Sequence, residues 1–250
     1  MINKILPWVG IFLFIIIWYI ISKTIFLNTA FIDSPQEVFK ALIENLISLS
    51  IWKDIFATLF RTMIGIIFSI IIGVPLGLII GYFSIFYISL QALIDFIRSI
   101  PATAILPLFV LCIGVGDMAK ITFVIYSNSL IIIFYTMLGV RGSSKARQDY
   151  AKTVNTSKIN IFRKIVFYES LPSTCIGIRT SISLSLILVI VSEMLMSGSE
   201  YGLGVRIFNA RYSAEYTNMY AYIIICGLIG YSLNKGIKTI IQKFIHWTEW

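Results

Sequence analysis

Six polar side chains stand in or at the ends of otherwise apolar stretches of this 250-residue sequence: Arg61, Asp95, Arg98, Ser127, Asn128 and Glu193. These residue types can pair charges, hydrogen-bond and attract a small anion. Asp95 and Arg98 lie three apart, so on a helix they share a face and can neutralise each other. Glu193, between Ser192 and Met194, is costly in hydrocarbon and must face another copy of the chain, a cavity or a basic partner such as Arg98 or Arg61. The polar run "YSNS", Tyr126 to Ser129, suits a pathway lining, and hydrogen bonding between helices explains it equally well. Arg98 borders a stretch broken by prolines, where a cation could draw in an anionic solute.

Enzyme chemistry finds no support in the motifs. There is no G-x-x-x-x-G-K-[ST] phosphate loop, and the nearest approach, "GVRGSSK", has the wrong spacing. Neither a G-x-S-x-G elbow nor an H-E-x-x-H pair occurs. Cys112, Cys175 and Cys226 are far apart in apolar surroundings and read as small buried hydrophobes rather than a metal set or disulfide framework. The single histidine, His246, sits between Ile245 and Trp247 and reads as an interfacial anchor. No metal and no cofactor is expected on this chain.

The elements that carry these residues are set by composition. With 58% hydrophobic residues, 13% charged residues and a mean hydropathy of +0.90, the chain is expected to be an all-α polytopic membrane protein. Charge-free runs place about six spans: 6–22, Thr62 to Tyr82, a broken segment over 85–113, Ile121 to Val140, Ser173 to Met196, and Tyr216 to Asn234. The first run lacks a small-residue cleavage pattern and reads as a retained span. Between the first two spans, Ser34, Pro35 and Glu37 form a capping-box signature opening an amphipathic helix over 35–50, with Val38, Leu42, Leu46 and Leu49 on one face. Gly73, Gly77 and Gly81 recur every four residues and predict close approach of a neighbouring helix, while Pro75 predicts a kink. Pro101 and Pro107 in "RSIPATAILP" predict a bend or two short helices at membrane depth, tolerated where backbone is buried in protein or lines a cavity.

Six spans put both termini on one side. With that side inside, eleven lysines and arginines, Lys4 and Lys243 among them, face the cytoplasm against six outside. The net charge of +8 then reports cytoplasmic loops rather than nucleic-acid binding. On this orientation the segment "DYAKTVNTSKINIFRKIVFYESLP", Asp149 to Pro172, is cytoplasmic. Its pattern is two helices: Asn155 tolerates the left-handed backbone that ends the first, and Ser157 caps the second. Such a pair exposes apolar side chains, to be covered by a protein partner or by lipid headgroups.

The order Asp149-Tyr150-Ala151, three residues, Asn155, and later Leu171-Pro172 resembles the EAA motif of ABC importer permeases, with Asp for Glu, Tyr150 for alanine and Asn155 for glycine. "TLFRTMIGIIFSIIIGVPLGLIIGY", "FIRSIPATAILPLFVLCIGVGDMAK" and "VSEMLMSGSEYGLGVRIFNAR" are similar to segments of the nitrate/sulfonate/taurine branch. The resemblance implies a type I importer permease as one domain over 1–250, with a core over 55–240 and a cytoplasmic loop over 143–172. It further implies a homodimer in the bacterial inner membrane, an extracytoplasmic solute-binding protein, and two copies of a cytoplasmic ATPase that carries the ATP and magnesium. The ATPase would dock on Asp149, Tyr150, Ala151, Val154, Asn155, Thr156, Ser157, Leu171 and Pro172. The solute would be a small anion of the nitrate, sulfonate or taurine class, or a heterocyclic vitamin precursor. A secondary transporter driven through Asp95 and Glu193 is the rival, and it would require broken helices in both halves.

Overall fold

The computed structural model describes residues 2–24, 32–196 and 200–244, and every regular element among them is helical. Among the described residues four helices are long and apolar enough to cross a membrane, or five if the one bent pair counts as a single span. The expected first span, 6–22, falls within α1 (Ile2–Thr24), whose described apolar stretch is Phe12–Thr24. The Lys4 side chain and His246 lie outside the described residues. The chain divides into two compact units, residues 1–57 with 200–229, and residues 58–199 with 230–250.

In the first unit, α2 (Pro35–Ile47) starts as its capping box dictates. The Ser34 hydroxyl and backbone N–H donate to the Glu37 carboxylate at 2.7 and 2.9 Å, and these bonds hold that carboxyl below its ordinary pKa. Val38, Ala41 and Leu42 are buried, as helical spacing requires. The helix is shorter than the expected 35–50: extended backbone at Ser48 ends it, and Leu49, 85% exposed, instead opens α3 (Leu49–Tyr82). Residues 49–61 were expected outside a span, but they form the first turns of this 34-residue helix. Asp54 does not end the helix there because its carboxylate is fully partnered. It accepts from the Gly202 N–H at 2.9 Å and from Arg206 Nε at 2.7 Å. Arg206 belongs to α10 (Leu203–Tyr212), and α11 (Tyr216–Phe244) follows after a turn in which Ala214 has φ 58°.

The second unit is built on α3, α6 (Asp117–Arg141) and α9 (Phe167–Leu195). The glycine stripe does what its spacing predicts. A Cβ at Gly73, Gly77 or Gly81 would lie 2.8, 2.6 or 2.7 Å from Ile132, Thr136 or Val140, so only glycine lets α3 approach α6 this closely. Helix α3 continues through Pro75. On the other face of α6, Gly139 and Gly177 bring α9 equally near, against Ser173 and Tyr135 respectively. The segment 85–113 is two helices, α4 (Ser84–Ser99) and α5 (Ala102–Ile113), bent by 93° at Ile100-Pro101. Pro107, expected to break this stretch as well, is accommodated inside α5. Of the cysteines, Cys226 is buried and Cys175 half-buried, whereas Cys112 is exposed, against the expectation for that residue.

The loop over 143–172 holds α7 (Lys145–Thr153) and α8 (Lys158–Ile161). A π-helical turn, Phe162–Val166, joins α8 to α9 without interruption. The span expected from Ser173 is therefore part of a continuous helix from Lys158 to Leu195, with Pro172 inside it. The wider π spacing suits the burial pattern, because it sets Val166, five residues after Ile161, on the same buried face.

Candidate functional site

Three places in the second unit gather the residues whose chemistry the sequence singled out. The first is a buried ion network joining α3, α6 and α9. The Arg61 guanidinium, 3% exposed, donates from Nη1 to Glu193 Oε1 at 2.5 Å and from Nε to Asp117 Oδ1 at 3.0 Å. The Thr58 hydroxyl lies 3.0 and 2.9 Å from the two Glu193 oxygens. Lys120 is wholly buried and close enough to feel Arg61, Glu193 and Asp117. Two cations thus balance two carboxylates, Glu193 buried and Asp117 half-exposed at the edge, which is what makes the buried charges tolerable. Glu193 takes Arg61 rather than Arg98 as its partner. Asp117 and Lys120 were missed in the sequence because "GVGDMAK" looks like a polar turn, and Thr58 because it lies on the stretch of α3 before the expected span. The one local signal was an acidic residue directly after Gly116, where a helix N-terminus favours it.

The second place is a cavity of about 220 Å³ at the bend between α4 and α5. Arg98, Ser99, Tyr126 and Ser127 give it a polar edge, and Pro101, Ala102, Ile105 and Leu184 give it apolar walls. Arg98 is held in two ways: Nη2 lies 3.7 Å from Asp95 Oδ1, and the guanidinium stacks 3.6 Å above the Phe134 ring. Ser127 donates to the Phe123 carbonyl in its own helix. Asn128, one residue on, turns to α9 and donates to Ser185 Oγ at 2.6 Å. The six intramembrane residues are therefore separated. Arg98 and Ser127 line the cavity, Asp95 holds Arg98, Asn128 ties α6 to α9, and Arg61 with Glu193 belongs to the network.

The third place is the turn between α7 and α8. Ser144 caps α7 by accepting from the Arg147 N–H, while Glu169 of α9 accepts from the Ser144 N–H at 2.7 Å and pairs with Arg147 Nε at 2.9 Å. At the far end, Asn155 has φ 57°. Its N–H donates to the Lys152 carbonyl and that of Thr156 to the Ala151 carbonyl, the two bonds of a Schellman cap. Ser157 then caps α8 by accepting from the Asn160 N–H. Ala151 is buried, whereas Tyr150 and Val154 are 71% and 57% exposed, and Asp149 and Lys152 pair on the surface at 2.7 Å. Leu171 and Pro172 lie inside α9, apart from this turn. Glu169 was not foreseen: its partners lie 22 and 25 residues earlier, beyond any local pattern.

Comparison with known proteins bears on the family and the fold. The family described as "binding-protein-dependent transport system inner membrane component" matches residues 73–245. A Bacillus subtilis protein described as an aliphatic sulfonates transport permease is 25% identical over 154 residues, 62% of this chain and 55% of its own length. The taurine transport system permease protein of Escherichia coli is 20% identical, over 92% of this chain and 85% of its own. In structure, a chain of the MetNI methionine ABC transporter in an inward-facing conformation superposes with a TM-score of 0.68 at 17% identity, covering 78% of this chain and 96% of that one.

Proposed function

Since the chain belongs to the family of inner-membrane components of binding-protein-dependent transport systems, as a multi-pass permease subunit of an ABC importer, we propose that it forms the solute pathway and is driven through its α7–α8 turn by a separate ATPase. The observation that carries this reading is the turn itself. Glu169 fixes one end of α7 and the Asn155 cap fixes the other, yet Tyr150 and Val154 point away from the unit. Exposed apolar groups on a rigid, water-soluble helix fit a protein groove.

Two permease copies, two ATPase copies carrying ATP and magnesium, and an extracytoplasmic solute-binding protein complete the assembly in this reading, with both permease termini in the cytoplasm. The solute is a small organic anion of the sulfonate or taurine class. The cavity at the α4–α5 bend supports that choice. Its polar edge carries one cation, Arg98, beside Ser99, Tyr126 and Ser127, and its apolar walls suit a short carbon chain. A solute bound there would compete with Asp95 for the guanidinium.

Replacing both Tyr150 and Val154 by Glu tests the docking reading, because neither side chain contributes to the buried core. Solubilised wild-type permease should co-purify the ATPase, and the double variant should lose it while unfolding at the same temperature. Retention of the ATPase by the double variant would refute docking at this turn.

A further inference from the structure

Apart from the network, the cavity and the docking turn, the second unit carries an apolar cleft of about 400 Å³ between the end of α3 and α8. Ile79, Tyr82 and Phe83 form one wall and Ile159 and Phe162 the other, with the Tyr82 and Phe162 rings meeting edge to face at 4.9 Å. Ile159 is 70% exposed and Ile79 45%. Among the described residues that line the cleft, the one charged group is Lys158.

Three features choose the occupant. Ile71, Ile72, Leu76 and Ile79 form the exposed stripe of a membrane-spanning helix, and the cleft continues that stripe without a polar break. Where the stripe ends, aromatic rings and a cation gather: beside Phe83 and Phe86, the Arg141 guanidinium lies 4.1 Å above the Tyr87 ring. Such a girdle marks the membrane–water boundary. Lys158 stands at the same cleft, and Arg163 and Lys164 follow, exposed, on the next turn. No carboxylate lines the cleft among the described residues, so its field attracts anions.

We propose that the cleft holds an acyl chain of an anionic phospholipid of the surrounding membrane, with the phosphate held by Lys158. One wall of the site is α8, which follows directly on the docking turn, so the lipid would brace that turn from behind. The site itself does not depend on the docking reading.

The test is native mass spectrometry of the full chain released from nanodiscs made with equal phosphatidylglycerol and phosphatidylcholine. Wild type should retain phosphatidylglycerol over phosphatidylcholine by about fivefold, the attraction of one surface lysine for anionic lipid. Lys158→Gln should bring the two lipids to parity, and Ile79→Trp, which fills the cleft, should lose both. Equal retention of the two lipids by wild type, or unchanged retention in both variants, would overturn the proposal. So would an Ile79→Trp variant that keeps its lipid but loses the ATPase, because the cleft would then be a protein-docking surface.

Discussion

The two ends of the α3–α6–α9 bundle treat charge in opposite ways. At one end, Arg61 and Glu193 are almost wholly buried and satisfy each other, with Asp117, Thr58 and Lys120 closing the network. At the other, the charges of α7 lie on the surface beside exposed Tyr150 and Val154. A buried pair has no second partner to look for, and removing one member strands the other. An exposed pair contributes little to the fold, and the apolar groups next to it are the ones with contacts still to make. One end thus holds helices together through buried charge, while the other leaves apolar side chains exposed, as the proposed docking requires.

The comparison is tested hardest at Glu193. Glu193→Ala leaves Arg61 buried without its main counter-charge and should cost about 3–5 kcal/mol of stability, read as a fall in unfolding temperature in detergent. A loss no larger than that of the surface variant Asp149→Ala would erase the distinction between the two ends. Next in size is the contact between the helices themselves. Gly77→Val should cost about 1–3 kcal/mol, because its Cβ would sit 2.6 Å from that of Thr136 and 2.8 Å from the Ile133 carbonyl oxygen. Gly236→Val, where nothing lies within 4 Å, is the matched control. The smallest effect belongs to the caps. Asn155→Gly should be neutral or slightly stabilising and should leave ATPase binding intact, since glycine adopts φ 57° without strain. Ala214→Gly, at φ 58° in the equivalent cap of the first unit, should stabilise by about 1 kcal/mol, because alanine bears the left-handed penalty that asparagine largely escapes. Thermal unfolding of both variants measures the difference.

Features governed by short-range rules were legible in the sequence: the Ser34–Glu37 capping box, the glycine stripe, the left-handed Asn155 and the bend at Pro101. Those governed by distant partners were not. Lys53, Asp54 and Arg61 kept 51–61 outside the expected span because nothing near Asp54 in the sequence announces Gly202 and Arg206. Pro172 suggested a helix boundary, yet proline within a helix is tolerated when neighbouring helices pack around the freed backbone groups. At the site, the Glu193–Arg61 pair could be anticipated because a lone intramembrane carboxylate demands a cation. The choice between Ser127 and Asn128 could not, since adjacent residues on a helix differ in direction by about 100° and only the neighbours decide which faces a cavity.

Glu169 and Glu193 lie on the same uninterrupted α-helix, 24 residues apart, which at about 1.5 Å per residue is roughly 36 Å. The first grips the start of α7 and the second grips Arg61. No loop lies between the two, so a shift imposed on α7 would not be dissipated in a flexible segment. On the proposed reading it would reach the ion network at the far end of the bundle along one helix.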